Sequence, residues 1–415
     1  MSIYSRFRLL GLPFFLATLG TLVFTSCSSE YGPHLTIPTT GYSKIAFSQD
    51  HTKLATTTPD NTIQILDART GDVLQELNGI HKQSINALVF SKDGNTLVST
   101  ADDNKAVIWN LQTDKNLELV HGMYDIGIVN DAVFSPDEKL LATYQGSVGV
   151  IYIWDAKNGQ LLPKRHYARS KPIFSADGKS ILFVDRGDSK NHQPLYNEVT
   201  LWNLSTDEET NFPKKASTPM DSLYYGKYPL TVPTFSNDSS KIYIIEQGPT
   251  VKLQTWDVLT QRLDSSIDLA PKAVPGIVFR WEFSDDRTRL LLNWSGTNGA
   301  GVVKKIASVW DLKTGTEIST MNYLSLYSEA HFLNPSGSII YTYTIDPKSP
   351  FAERVKLWNA AKGESFLELF GVEYKDKMQR RSGNAFAVHR SPDGTQLAVD
   401  NGNGILLFDL DQVSP

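Results

Sequence analysis

The sequence predicts an all-β fold made of eight copies of one four-stranded unit, and two observations lead to this prediction. A phrase of the type Phe-Ser-x-Asp-Gly, followed by an apolar strand, recurs along the 415-residue chain at intervals of 40 to 61 residues. Further on in each copy a strand ends in an apolar or aromatic residue followed by Asp or Asn. Six of the eight tryptophans occupy this position. An internal repeat is therefore the organising feature of the chain.

The eight copies can be aligned both at the Phe-Ser phrase and at the end of the third strand. They begin at Phe47, Phe90, Phe134, Phe174, Phe235, Phe283, Phe332 and, with arginine in place of phenylalanine, Arg390. Their third strands end at Leu66-Asp67, Trp109-Asn110, Trp154-Asp155, Trp202-Asn203, Trp256-Asp257, Trp310-Asp311, Trp358-Asn359 and Phe408-Asp409. Pairs such as Asp93-Gly94 tolerate the positive φ that tight hairpins require. Repeats of this length, with about four strands each, predict radial blades around a central channel.

This pattern resembles the WD-repeat family of β-propellers, and the resemblance covers nearly all of residues 30–415. It implies a single eight-bladed β-propeller, with seven blades and one stray unit as the alternative. In that family a His, a Ser or Thr, an Asp and the Trp form a buried hydrogen-bonded tetrad. The second unit can supply all four, as His81, Ser99, Asp103 and Trp109. The resemblance therefore implies a structural role, rather than a ligand-binding one, for His81.

The strand count predicts how the ring closes. The eighth unit has three predicted strands, at 385–388, 396–399 and 404–409, where the other units have four. Just before the first unit, the stretch His34-Leu35-Thr36-Ile37 has the alternating pattern of a β-strand that belongs to no unit, with Leu35 and Ile37 on one face. We expect this stretch to supply the outer strand of the last blade, which would remove an open sheet edge.

The first 26 residues are predicted to be a secretory signal peptide. Arg6 and Arg8 precede an apolar run from Leu9 to Phe24, which is shorter than the ~20 residues of a membrane-spanning helix. The only cysteine, Cys27, follows in the sequence Phe24-Thr25-Ser26-Cys27, which resembles the lipobox of bacterial lipoproteins. The resemblance implies cleavage before Cys27 and lipidation of its thiol. A plain cleaved signal and an uncleaved anchor are the alternatives.

These features divide the chain into three parts: the signal peptide at 1–26, a tether at 27–31 and the propeller at 32–415. Removal of the signal peptide changes the formal net charge from −5 to −7. A lipid on Cys27 would hold the protein on a membrane surface of the bacterial cell envelope. Because serine, not aspartate, follows Cys27, the resemblance implies the outer membrane if the cell is Gram-negative.

The long connections are predicted to lie on one rim of the ring. In WD-type propellers, the loops from second to third strands and from one blade to the next share the rim called the top. The segments 185–198, 294–305 and 345–354 are of the first kind, and 211–230 and 371–384 are of the second. Together they carry a net charge of +5, while the rest of the mature chain carries −12. Long loops on a rigid scaffold are common carriers of function.

Tyrosine and arginine are the residue types that interfaces favour at their energetic centres. We therefore expect these connections to bind a protein partner of the envelope, although solvated loops without a partner are the alternative interpretation. The candidate partner-binding residues are Lys214, Lys215, Tyr224, Tyr225, Tyr228, Trp294, Lys304, Lys305, Phe351, Arg354, Lys375, Arg380 and Arg381.

Other functional classes find less support in the sequence. The eight histidines lack metal-ligand spacing, a single cysteine excludes a disulfide framework, and no nucleophile elbow or phosphate loop is present. The pI of about 5.9 argues against a nucleic-acid-binding protein. We therefore expect a monomeric, non-catalytic scaffold without metal or cofactor. A glycan or small-ligand receptor that uses Trp294, Tyr225 and Phe351 is the second hypothesis, and a propeller enzyme is the third.

Overall fold

A computed structural model of the chain describes residues 30–39, 43–121, 127–185, 199–212, 233–247, 251–269, 277–297, 303–323, 329–345, 353–369, 387–400 and 404–414. In this part of the chain the secondary structure consists of strands, and no helix is present. The strands form eight separate sheets, each of which is one blade, and within each blade consecutive strands pair antiparallel. The predicted signal peptide 1–26 and the lipidation site Cys27 lie outside the described residues.

Two N-terminal strands precede the first blade, β1 (Glu30–Tyr31) and β2 (Leu35–Pro38). Blade 1 contains β3 (Ile45–Phe47), β4 (Lys53–Thr57), β5 (Ile63–Asp67) and β6 (Val73–Leu77). Blade 2 contains β7 (Ile85–Phe90), β8 (Thr96–Ala101), β9 (Lys105–Asn110) and β10 (Asn116–Val120). Blade 3 contains β11 (Asp131–Phe134), β12 (Leu140–Gln145), β13 (Val150–Asp155) and β14 (Leu161–Tyr167). Blade 4 contains β15 (Ile173–Phe174), β16 (Ser180–Val184), β17 (Val199–Asn203) and β18 (Glu209–Phe212).

The second half of the ring repeats this order. Blade 5 contains β19 (Thr234–Phe235), β20 (Lys241–Gln247), β21 (Val251–Asp257) and β22 (Leu263–Asp268). Blade 6 contains β23 (Ile277–Phe283), β24 (Arg289–Thr297), β25 (Val303–Asp311) and β26 (Thr316–Tyr323). Blade 7 contains β27 (Ala330–Phe332), β28 (Ile339–Ile345), β29 (Glu353–Asn359) and β30 (Glu364–Leu369). Blade 8 contains β31 (Ala387–Arg390), β32 (Gln396–Asp400) and β33 (Gly404–Asp409).

The predicted eight-bladed propeller and its closure are confirmed. Strand β2 pairs antiparallel with β33, with Leu35 opposite Leu407 and Ile37 opposite Ile405, and so becomes the fourth strand of blade 8. First strands of neighbouring blades contact each other: β3 contacts both β7 and β31, β7 contacts β11, and β23 contacts β27. The first strands therefore line the axis of the ring, and blade 8 meets blade 1.

Strand β1 is a feature that the sequence did not predict. It pairs in parallel with β30 and adds a fifth strand to the outer edge of blade 7. Glu30 and Tyr31 thus belong to the folded ring, whereas the sequence boundary placed them in the tether. The other seven sheets have four strands each.

The recurring Ser-x-Asp phrase builds the hairpin between the first and second strands. In blade 3 the hydroxyl of Ser135 donates to Oδ1 of Asp137 at 2.8 Å and accepts the backbone N–H of Leu140 at 2.9 Å. The same two hydrogen bonds recur in blades 1, 2, 4, 5, 6 and 8. In blade 7, Oδ1 of Asn334 accepts the equivalent N–H, that of Ile339, at 3.0 Å. The phrase is therefore a hairpin-forming device.

The hydrophobic core is divided among the interfaces between blades. Eight clusters of buried apolar residues are present, and each joins one pair of neighbouring blades. The cluster between blades 8 and 1 contains Ile37 from β2 together with Ile405 and Ile45. Each blade thus buries both of its faces against its neighbours, and the N-terminal strand contributes to the interface that closes the ring.

Candidate functional site

The predicted tetrad of blade 2 forms a continuous hydrogen-bonded chain. The indole Nε1 of Trp109 donates to Oγ of Ser99 at 2.8 Å, and Oγ of Ser99 lies 2.7 Å from Nε2 of His81. Nδ1 of His81 is 3.1 Å from Oδ2 of Asp103. This order assigns the Nδ1–H tautomer to His81, which then accepts from Ser99 and donates to Asp103. The four side chains of the tetrad thus hydrogen bond to one another.

Burial is the main influence on the His81 imidazole. It lowers the pKa of His81, and the Asp103 carboxylate opposes this effect without reversing it. The ring is therefore neutral near pH 7, as the donor and acceptor pattern of the chain requires. Because both ring nitrogens are occupied, His81 has no free atom for a ligand.

Blade 3 contains a related arrangement that sequence reasoning missed. Nε2 of His121 is 2.8 Å from Oγ1 of Thr143, which also accepts Nε1–H of Trp154 at 2.9 Å. Nδ1 of His121 lies 3.1 Å from the backbone carbonyl oxygen of Asn104, so a main-chain group takes the place of the aspartate. The signal that could have found it was a histidine between blades followed by a Ser or Thr 10 or 11 residues before the tryptophan.

The repeated tryptophans of the other blades reach different acceptors. Trp202 donates to Asp207 at 3.0 Å, Trp256 to Gln254 at 2.9 Å and Trp310 to Ser308 at 2.8 Å. Trp358 donates to Thr342 at 2.8 Å. Each repeated indole is therefore satisfied locally, which supports a packing role for this position.

Trp294 must be removed from the candidate partner-binding residues. Its side chain is only 2 % exposed, and its Nε1 donates to Oγ of Ser308 at 2.7 Å. The reason is that β24 extends to Thr297 and β25 starts at Val303, so the connection at the top of blade 6 is shorter than the predicted 294–305. Trp294 lies in the core between blades 5 and 6.

The structure places three other candidates by their backbone alone. Lys304 and Lys305 lie at the start of β25, opposite Gly296 and Ser295, and Arg354 lies at the start of β29, opposite Thr344. All three positions adjoin connections between second and third strands, which leave from the top rim. The remaining candidates lie outside the described residues: Lys214, Lys215, Tyr224, Tyr225, Tyr228, Phe351, Lys375, Arg380 and Arg381.

The inner strands of blades 6 and 7 bring together a charged cluster that the sequence did not predict. Nδ1 of His331 lies 3.0 Å from Glu282, and its Nε2 lies 3.6 Å from Glu329. Arg280 pairs with Glu329 at 2.7 Å. Burial alone would lower the pKa of His331, but the two carboxylates raise it above its usual value. When His331 is protonated, its positive charge and that of Arg280 balance the negative charges of Glu282 and Glu329. The cluster therefore joins blade 6 to blade 7 through ion pairs.

A cavity of about 300 Å³ opens on the bottom side between blades 2 and 3. Its charged lining residues are Asp93, Glu138, Lys139, Asp155 and Lys157. Because three carboxylates and two ammonium groups line it, the cavity offers no strong preference for either charge. Within the described ranges, no group of three His, Cys, Asp or Glu residues is arranged to hold a metal ion. The same ranges contain no helix that is long and apolar enough to cross a membrane.

Comparison with known proteins agrees with the geometry of the ring. Residues 71–110 match the family model described as WD domain, G-beta repeat. This match begins before β6, the last strand of blade 1, and ends with β9, the third strand of blade 2. The fold is an eight-bladed β-propeller, and residues 71–110 of it match the WD model. WD40 propellers are typically non-catalytic scaffolds that bind protein partners.

A solved structure supports the fold over nearly the whole chain. The chain is similar to the crystal structure of the Cps50 (Swd1) β-propeller domain of Myceliophteria thermophila, with 15 % sequence identity and a TM-score of 0.54. The alignment covers 91 % of this chain and 99 % of that chain. At this identity the similarity concerns the fold alone. A comparison with curated proteins gave no match.

Proposed function

We propose that the protein is a bacterial lipoprotein, tethered through Cys27, whose propeller is a protein-interaction scaffold in the cell envelope. One observation carries the scaffold role. The connections around 186–198, 298–302 and 346–352 join second to third strands, and those around 213–232 and 370–386 join blades, so all five leave the same rim. The hairpins of the opposite rim are short and internally hydrogen bonded.

The proposed mechanism is binding by a preorganised surface. Eight apolar interfaces hold the blades, so a partner does not have to order the scaffold when it binds. The basic and aromatic residues of the top connections would supply the contacts, as Arg and Tyr do at many interfaces. An acidic protein surface is the partner chemistry that this charge favours. The burial of Trp294 weakens the glycan hypothesis, because that hypothesis used Trp294 as one of three stacking aromatics.

The scaffold role is tested by capturing partners from the detergent-solubilised envelope with the tethered protein. We compare the wild type with the double variant Arg380→Glu/Arg381→Glu. The matched control reverses two exposed bottom-rim charges, as Lys157→Glu/Lys362→Glu. We expect a stoichiometric companion that the top-rim variant loses and the bottom-rim control keeps. No companion in any sample, or equal loss in both variants, would contradict the proposal.

The tether is tested separately. Metabolic labelling with a fatty acid should mark the wild-type protein, and the mass of its N-terminal peptide should show cleavage before Cys27. The variant Cys27→Ser should lose the label and leave the membrane fraction while its ring still folds. An unlabelled wild-type protein would refute the lipoprotein assignment but would leave the scaffold test unaffected.

A further inference from the structure

The N-terminal segment is attached to the outside of the ring at two neighbouring blades. Strand β1 lies against the outer strand of blade 7, with Glu30 opposite Glu368 and Tyr31 opposite Leu369. Four residues after Tyr31, at Leu35, β2 begins, and it is the outer strand of blade 8. The chain therefore reaches the ring at its circumference, outside the fourth strand of blade 7.

Tyr31 fixes this point of attachment. Its ring packs against the apolar cluster between blades 7 and 8, and its hydroxyl donates to the backbone carbonyl oxygen of Asp409. Burial raises the pKa of Tyr31, and the nearby Asp409 and Asp411 carboxylates add to the effect. A side chain held by packing and by a hydrogen bond makes the two-residue strand β1 a defined anchor point.

We propose that this attachment sets the orientation of the ring at the membrane. The propeller stands on its edge, with the circumference of blades 7 and 8 toward the lipid and both rims open to the aqueous compartment. This inference rests on the proposed lipidation of Cys27. Only Ser28 and Ser29 separate Cys27 from Glu30. The three residue steps span at most about 11 Å, whereas a folded chain of this length is about 50 Å across.

Charge does not provide a competing anchor on that edge. The mature chain carries −7, and β30, the fourth strand of blade 7, contains Glu364 and Glu368, of which Glu368 pairs with Lys356. These charges do not attract an anionic membrane to this edge, so the attachment proposed here is that of the short tether. The basic top connections favour a different arrangement, in which the ring lies flat with one rim on the membrane. The edge-on arrangement keeps those connections accessible to a partner.

Two equivalent bottom-rim turns on opposite blades distinguish the arrangements. Ala361 of blade 7 and Lys157 of blade 3 are exposed, and the backbone N–H of each donates to the preceding Asn359 or Asp155 side chain at 2.9 Å. An azide-bearing amino acid at position 361 or 157 carries a fluorescent donor, and phosphatidylcholine vesicles carry a headgroup acceptor. Because the ring is about 50 Å across, we expect at least about twofold higher energy transfer from position 361. Equal transfer from the two positions, as a flat ring would give, overturns the proposal.

A longer tether provides the second measurement. A Gly-Ser linker of about 20 residues between Ser29 and Glu30 behaves as a flexible coil and should abolish the difference between the two positions while the protein stays on the vesicles. A difference that persists would show that a surface of the ring, and not the short tether, sets the orientation, and would overturn the proposal.

A chemical anchor separates this proposal from the lipoprotein assignment. Cys27 is the only cysteine, so a maleimide-bearing phospholipid couples to residues 27–415 at that one thiol. This range contains every residue that the structure describes. Higher transfer from position 361 in this preparation supports the edge-on attachment even if cells do not lipidate Cys27. Equal transfer here overturns it even if cells do.

Discussion

A glycine pair tests how tightly the hairpin of blade 8 packs against blade 7. Gly394 and Gly79 both have positive φ, +77° and +82°. A Cβ at Gly394 would lie 2.4 Å from the carbonyl oxygen of Leu333 and 2.7 Å from Cα of Asn334, whereas a Cβ at Gly79 would meet no atom within 4 Å. Alanine at either site therefore suffers the same kind of backbone strain, and only at Gly394 does it also clash with the backbone of the next blade.

The expected losses can be worked out from these contacts. The left-handed conformation costs an alanine about 1–2 kcal/mol, and the smaller entropy of the unfolded alanine chain offsets about half of that. Gly79→Ala should therefore destabilise the ring by about 1 kcal/mol. Overpacking adds about 1–3 kcal/mol, so Gly394→Ala should cost about 3 kcal/mol in total.

Scanning calorimetry measures the difference. With an unfolding entropy of about 2.1 cal/mol/K per residue, a ring of this size loses about 1 °C of Tm per kcal/mol. Gly394→Ala should therefore lower Tm by about 3 °C and Gly79→Ala by about 1 °C. Amide hydrogen exchange should place the faster opening of the first variant at the interface between blades 7 and 8. Equal Tm losses for the two variants would refute the close approach of the two blades.

Three further predictions concern the tetrad, the closing strand and a partly buried histidine. Ser99→Ala, which removes the partner of two buried rings, should cost about 2–4 kcal/mol in thermal unfolding, and Thr342→Ala, which leaves one indole unpaired, should cost about half as much. In circular dichroism melts, Ile37→Asp should weaken ring closure because this side chain is 8 % exposed, whereas Thr36→Asp on the exposed face should leave Tm within about 1 °C. Burial, with Lys44 and His331, lowers the pKa of His389 to about 4, so the unfolded chain binds the extra proton and stability falls as pH drops from about 6.5 to about 4. His389→Gln should flatten this part of a stability–pH curve, and an unchanged slope would contradict the assignment.

The repeat phrase made most of the fold predictable from the sequence. Its serine and aspartate form local hydrogen bonds within five residues. The same residue types therefore form the same hairpin wherever the phrase recurs. The turn also works without glycine, because Glu138 and Arg287 adopt positive φ at the place that Gly94 holds in blade 2. The missing strand of the last unit was predictable for a different reason, since a ring of four-stranded blades must take it from the other end of the chain.

The features that the sequence did not predict depend on contacts between distant segments. The cluster around His331 needs Glu282 from the neighbouring blade, 49 residues earlier in the chain. His121 uses a backbone carbonyl of Asn104, which a search by residue type does not detect. Trp294 is buried because its strand extends further than the hydrophobic pattern indicated, and the two residues of β1 are too few to show any periodicity.

The sequence repeat does not begin where a blade begins. This offset places the strand that closes the ring next to the segment that attaches it. The matched repeat, residues 71–110, contains the last strand of one blade and the first three of the next. Blade 8 therefore depends on β2, and β2 follows the tether after only the short strand β1. If the proposed lipid anchor is pulled, the load reaches β1 and the Tyr31 contacts before it reaches β2. Because β1 holds the segment on blade 7, we expect the strand that closes the ring to bear this load only after β1 is released.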